Sequence, residues 1–194
     1  MAKSAKFDRS EVIDKATQLY WQKGFHATSM RNLQDVIDLR PGSIYAAFGS
    51  KEALFKETLQ YYSDSGVAKL AHFRHQFDSP LQALKQFIRS QVIGSLSQAP
   101  SGMCMLAKTV AELTDEHAEL LDFARKALQR MEGEFAKVLS DAQKAGEFDA
   151  SKDPNKVAGY VQVQIAGLRT YAKVCNDPQR LEEMIDEMFS HHPF

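Results

Sequence analysis

The sequence predicts an all-α fold of about nine helices, a small three-helix unit at the N-terminus followed by a larger helical one. Three observations carry this. The 194 residues are rich in Ala, Leu, Lys, Glu and Gln, all good helix formers, with only 6 Pro and 10 Gly. Apolar residues return at three- and four-residue spacing and never alternate over the length of a strand. Ser79-Pro80, Asp153-Pro154 and Asp177-Pro178 repeat one helix-start pattern, a capping side chain followed by a residue with a preset helical φ. With 44% hydrophobic residues the chain can bury one large core, or a small and a medium one.

The elements follow in order. Residues 1–7 read as a short basic arm. A helix from about Asp8 to Lys23 sets Val12, Ile13, Ala16, Leu19 and Tyr20 along one face, and Gly24 stops it. A second starts at Thr28 or Ser29, turns Met30, Leu33, Val36 and Ile37 to the core, and breaks at Asp38-Leu39. Pro41 opens a third, short helix to Phe48, with Ile44, Tyr45 and Phe48 expected inward. Ser50 caps a long fourth helix, Lys51 to about Phe73, with Glu52 at the positive end of its dipole. This helix is expected to belong to both halves. Further helices are expected over 80–97, 103–113, 116–144, 154–174 and 178–190. A loop at Gln98-Ala99-Pro100-Ser101-Gly102, a cap at Thr114-Asp115 and a stop at Gly146 separate the first of these.

Net charge is −1, which argues against a protein that coats nucleic acid with its whole surface. The charge is uneven, however. Residues 1–51 carry eight Lys and Arg against five Asp and Glu, a net +3 that leaves −4 for the rest, so a small basic reader on an acidic body fits. Cys104 and Cys175 have no metal-ligand spacing and suit a reducing, cytoplasmic setting. The start MAKSAKFDRS lacks the apolar core of a signal peptide, and no run approaches the ~18 apolar residues of a membrane span, so no membrane partner is expected. His72 and His75 share a helix face and His191-His192 are adjacent, but neither pair has a carboxylate or thiol at ligand spacing. Between Gly42 and Gly49 lie six residues where a phosphate-binding loop has four, and Ser50 interrupts the Gly-Lys pair. No catalytic, cofactor or metal-binding residue is therefore expected.

Two short helices joined by a tight turn make a helix-turn-helix pattern. The string is more specific: G-F-x-x-T-S-M-x-x-L, then P-G-S-I-Y-x-x-F-x-S-K-E-x-L, over Gly24–Leu54. It closely resembles the DNA-binding domain of the TetR family of repressors, matching at Gly24, Phe25, Thr28, Ser29, Gly42, Tyr45, Phe48, Ser50, Lys51, Glu52 and Leu54. The resemblance implies a DNA-binding domain over residues 1–52 and a ligand-sensing and dimerisation domain over 53–194. It also implies a homodimer on a palindromic double-stranded operator and a small-molecule or electrophile effector. The helix from Pro41 would enter the major groove. Arg40 and Ser43 would face base edges, Pro41 and Ala46 would line the same surface, and Gly42 would let the backbone approach. Thr28, Ser29, Tyr45 and Lys51 would hold phosphates, and Lys3, Lys6 and Arg9 would extend an arm to the backbone or minor groove. An adaptor without DNA would need no such Thr-Ser, Tyr and Lys set.

Three positions depart from the family pattern. Asp38 stands where many members have a turn Gly, a place Asp tolerates because it visits the left-handed region. Pro41 replaces a Lys, which weakens phosphate attraction, and Ala47 replaces a His or Tyr. The operator sequence is therefore not transferable from relatives.

The stretch Gly102–Leu113 resembles a TetR subgroup with a Gly-Cys-Leu-type start to its sixth helix, some of whose members sense electrophiles or oxidants with that cysteine. Here Met103 intervenes between Gly102 and Cys104. A helix start favours a reactive thiolate, and Lys108 lies one turn on. Cys104, Tyr61, Phe87, Met105 and Phe123 are the effector-site candidates, with plain core as the other reading of each. In the first of the last two helices Val157, Tyr160, Val161, Val163, Gln164, Ile165, Gly167 and Leu168 leave little polar face, and Met184, Ile185, Met188 and Phe189 supply the apolar residues of the second. Such helices need burial on two sides, as in a four-helix bundle across a two-fold axis. Tyr160, Gln164, Leu168, Met184 and Met188 are the candidate dimer contacts.

Overall fold

The computed structural model describes residues 7–175 and 177–190. α1 (Arg9–Lys23) begins where Asp8 accepts hydrogen bonds from the Ser10 hydroxyl and from the Ser10 and Glu11 N–H groups, which hold its carboxyl below the usual range. α2 (Met30–Ile37) opens on a reciprocal cap: Asn32 N–H donates to Ser29 Oγ and Ser29 N–H to Asn32 Oδ1, both at 3.1 Å. It ends at Asp38, whose φ of 53° is left-handed. α3 (Pro41–Phe48) has Pro in its first turn and needs no donor there. α4 (Lys51–Gln76) follows Gly49, at φ +82°, and runs three residues beyond the expected end.

The helix expected over 80–97 is two helices, α5 (Pro80–Val92) and α6 (Gly94–Gln98). Ile93 keeps right-handed helical angles between them, so the chain bends rather than turns. Gly94 followed by Ser95 is the residue pair at which helices commonly kink. After them come α7 (Met105–Glu112), a single 3-10 turn (Asp115–His117), α8 (Ala118–Lys144), α9 (Pro154–Tyr171) and α10 (Pro178–Ser190). α9 stops before the expected Val174, because the N–H groups of Val174 and Cys175 both turn back to the Tyr171 carbonyl. The fold is all-α, with ten α-helices and no strand among the described residues. No helix among them is long and apolar enough to cross a membrane.

Two compact units result. The first comprises the described residues up to Asp64 together with Met105–Ala127. Its core gathers Val12, Ala16 and Tyr20 of α1, Leu33 and Ile37 of α2, Ile44 and Phe48 of α3, and Leu54, Phe55 and Leu59 of α4. Tyr20 and Phe25 pack on Phe55 with ring centroids 4.7 and 5.0 Å away. Burial pushes the Tyr20 phenol far above its ordinary range. The second unit, Ser65–Cys104 with the described residues from Leu128 on, is built on Leu84, Phe87 and Ile88 of α5, Phe135 and Leu139 of α8, and apolar residues of α9 and α10. Lys85–Asp186 at 3.0 Å and Arg89–Glu182 at 2.5 Å bridge α5 to α10.

Gly24 shows how tightly the first unit is specified. Its φ of 89° and ψ of 176° lie in a region essentially reserved for glycine, and a Cβ there would collide with the Glu112 carboxylate. Gly24→Ala is expected to lower unfolding free energy by about 1–3 kcal/mol from backbone strain alone. A denaturant midpoint equal to that of the unaltered chain would contradict this.

Candidate nucleic-acid interface

α3 is eight residues long and divides cleanly. Ile44 and Phe48 are buried, while Pro41, Gly42, Ser43, Tyr45 and Ala46 are exposed, as is Arg40 at its cap. Tyr45 was expected inward; the structure leaves it 47% exposed. The reason is geometric: in two turns of helix Ile44 and Phe48, four apart, share the buried face, and Tyr45 lies off it. Ser29 and Arg31 are exposed at the start of α2. The Ser29 oxygen accepts the cap bond, which leaves its hydrogen to donate outward. Arg31 and Arg40 are exposed here together with Asp35 and Asp38.

Three other residues are placed differently from the sequence expectation. Thr28 is fully buried, and its hydroxyl donates to the Gly24 carbonyl at 2.6 Å, so it locks the turn and does not face a phosphate. Lys51 is half-buried; its ammonium donates to the Phe25 carbonyl at 2.7 Å and lies 4.2 Å from that ring's centre. Burial lowers its pKa, opposed by the nearby Glu52 and Glu112 carboxylates. Arg9 is not part of a free arm: it bonds the Ala47 carbonyl at 3.1 Å and Glu57 at 2.5 Å and covers the Phe48 ring, tying α1 to the end of α3 and to α4. Lys3 and Lys6 lie outside the described residues.

The effector-site candidates do not gather in one unit. Tyr61, Met105 and Phe123 belong to the first and Phe87 and Cys104 to the second. Tyr61 is exposed and donates to Asp14 at 3.2 Å, and Met105 is buried. Phe87 is core, with Phe135 at 5.8 Å. Cys104 is half-buried in the residue before α7. A groove of about 390 Å³ in the first unit, lined by Ser50, Lys56, His117 and Glu119 among others, includes none of the five. In the second unit the buried Arg169 donates from Nε to the Gly102 carbonyl at 3.0 Å, anchoring the loop before Cys104. Among the described residues no group of three or more His, Cys, Asp or Glu could hold a metal ion.

On α9, Tyr160 is 52% and Val163 67% exposed, with Gln164 and Gly167 also outward; Met184 is outward on α10. Two of the candidate dimer contacts are corrected. Leu168 and Met188 are buried in their own unit's core and offer nothing to a partner.

The sequence has no local sign that Lys108 and Glu112 bond the segment that joins α1 to α2. Both contact the α1–α2 turn from 86 or 87 positions away.

Comparison with known proteins agrees with this arrangement. A family model described as bacterial regulatory proteins of the tetR family matches residues 12–58. A second, the tetracyclin repressor-like C-terminal domain, matches residues 80–188, more than half of the chain. The HTH-type transcriptional repressor ComR of Escherichia coli is 26% identical over 168 residues, which is 86% of this chain and 80% of ComR. The uncharacterized HTH-type transcriptional regulator YezE of Bacillus subtilis is 22% identical over 98% of both chains. Among solved structures, a cysteine-substituted CifR regulator superposes with a TM-score of 0.87 at 23% identity, over 98% of this chain and 100% of that one. The reduced form of Escherichia coli NemR superposes with 0.78 at 19%, over 93% and 94%. With an exposed α3 face carried by a helix-turn-helix, and both halves matched by that family's models, the chain belongs to the TetR family: it is a DNA-binding transcriptional regulator and not an enzyme.

Proposed function

We propose that this regulator is a cytoplasmic repressor that grips a palindromic operator as a homodimer and leaves it when a small molecule binds, or an electrophile modifies Cys104, in the C-terminal part. Residues 1–52 read DNA and residues 53–194 sense and dimerise. The observation that carries the DNA reading is the α3 face on which Arg40, Gly42, Ser43, Tyr45 and Ala46 all stand in solvent. A helix of this length fits the major groove, with Arg40 and Ser43 reaching base edges and Pro41 and Gly42 allowing close approach. The Tyr45 and Ser29 hydroxyls donate to phosphates on either side. Thr28 and Lys51 act behind this surface by shaping the turn.

Relatives support the reading. CifR variants have been solved with 26-base-pair double-strand operator DNA, and ComR is named a repressor. The outward Tyr160, Val163, Gln164 and Met184 support a dimer through α9 and α10. Two copies would set their α3 helices one DNA turn apart, about 34–36 Å.

Selection of bound duplexes from a random pool tests this. The expected product is a two-fold symmetric sequence with half-sites one turn apart. On it, Arg40→Ala should relax preference at one base pair and reduce the slope of log affinity against log salt by about one if the side chain also neutralises a phosphate, or leave the slope unchanged if it reads only a base. Recovery of no enriched sequence at low salt would sink the proposal. Adding N-ethylmaleimide should release the unaltered chain but not Cys104→Ser. Release of both would move the effector site away from that thiol.

A further inference from the structure

The first unit concentrates long-range polar contacts on residues 21–26, where α1 ends and the chain turns toward α2. The last carbonyls of a helix have no partner in a following turn and must find one elsewhere. Tyr20 accepts from the Gly24 N–H at 2.7 Å. The next two carbonyls, Trp21 and Gln22, accept from Lys108 Nζ at 3.2 and 2.8 Å. Just beyond, the N–H groups of Phe25 and His26 donate to Glu112 Oε2 and Oε1 at 3.1 and 2.7 Å. Lys108 and Glu112 stand one turn apart on α7.

The signs are matched to the backbone they touch. An ammonium sits at the negative end of the α1 dipole, and a carboxylate takes two converging N–H donors, the stronger class of hydrogen bond. Gly24 makes the approach possible, since any side chain there would occupy the place of the Glu112 carboxylate. Lys51 then holds the Phe25 carbonyl from α4, and Glu112 also faces Lys51.

We propose that Lys108 and Glu112 are positioning residues for DNA binding: α7 holds the α1–α2 turn through this two-point charged clamp and so sets where α2 and α3 present Ser29, Arg40 and Tyr45. This rests on the DNA-binding reading above. Ser29 lies three residues beyond His26, so movement of the turn passes directly into the α2 cap. Because hydrogen bonds weaken steeply with distance and angle, a small slide of α7 opens both points together, whereas apolar burial changes gradually. Cys104 immediately precedes α7 in the chain, so a change of chain path there reaches Lys108 one turn on and Glu112 two turns on.

The test uses the full chain, with the duplex recovered by selection as probe and amide hydrogen exchange measured without DNA. Glu112→Ala and Lys108→Met are each expected to weaken binding about tenfold or more. The salt slope should stay unchanged because no phosphate contact is removed. The Phe25 and His26 amides should exchange faster in Glu112→Ala, while those of Ile13 and Ala16 keep their protection. Lys108→Arg should restore most of the affinity, and Glu112→Gln, which keeps an acceptor, should fall between. Faster exchange at Phe25 and His26 with affinity within about threefold of the unaltered chain overturns the proposal. So does a fall in slope of about one for Lys108→Met, which would make that ammonium a phosphate contact. Uniform loss of protection across α1, with affinity regained after correction for folded fraction, overturns it as well. If the unaltered chain retains no duplex, the DNA-binding reading itself falls; if it binds and the variants bind equally, only the clamp does.

Discussion

Gly42→Glu should leave the protein folded and remove its DNA binding. A Cβ at Gly42 would meet nothing within 4 Å, and the residue is exposed in the first turn of α3. Replacing a helical glycine gains up to ~1 kcal/mol of helix propensity. A carboxylate at that end of a helix adds about 0.3–1 kcal/mol more through the dipole. The unfolding midpoint should therefore stay level or rise. In the groove the same change inserts bulk where the backbone must come close and sets a negative charge among phosphates. A loss of at least about 100-fold in affinity is expected, ~2.7 kcal/mol. Thermal melts read by circular dichroism, alongside fluorescence anisotropy on the selected duplex, separate the two effects. Binding within about tenfold of the unaltered chain would mean that α3 does not face the DNA.

Val163→Glu is expected to split the proposed dimer. Val163 is 67% exposed on α9, beside Tyr160 at 52%, so its own unit asks little of it. Burying a valine side chain contributes about 1.5–3 kcal/mol, and a two-fold interface buries it twice. The substitution removes both contributions and places two carboxylates against an apolar surface. The dimer dissociation constant should rise at least about 100-fold, with a monomer seen in sedimentation at micromolar concentration and helix content unchanged. Operator affinity should fall with it, because a single copy reaches one half-site. A chain that remains dimeric would place the interface elsewhere.

How far the site could be read in the sequence depends on how far its interactions reach along the chain. Ser29, Asp38 and Pro41 show their roles within four residues, since caps and turns are local chemistry. Thr28 and Ser29 are adjacent hydroxyls, and only packing decides which is buried and which is free. Arg9 and Lys51 look like phosphate ligands in a basic segment, yet a cation serves equally well on a carbonyl, and each has one at 3.1 and 2.7 Å. The break at Gly94-Ser95 was not expected, because such a pair inside a helical pattern is often carried without a break as well as with one. Leu168 lies on α9, which is apolar over much of its surface, so periodicity does not tell its inner face from its outer one; Met188 shares the one buried face of the amphipathic α10 with Leu181 and Ile185.

From the sequence alone came the helical class, the capped and proline-marked helix starts, the left-handed stop at Asp38 and the family, because these rest on capping, glycine and proline geometry and on a two-part string over Gly24–Leu54. Tertiary structure alone decided that Thr28 is buried on the Gly24 carbonyl, that Lys51 bonds the Phe25 carbonyl, that Tyr45 stands in solvent, and that Glu112 and Lys108 bond the segment joining α1 to α2. Those outcomes depend on which backbone groups come together after chain segments some 85 residues apart have packed. A residue's type states what it can bond, and only the fold supplies the partner.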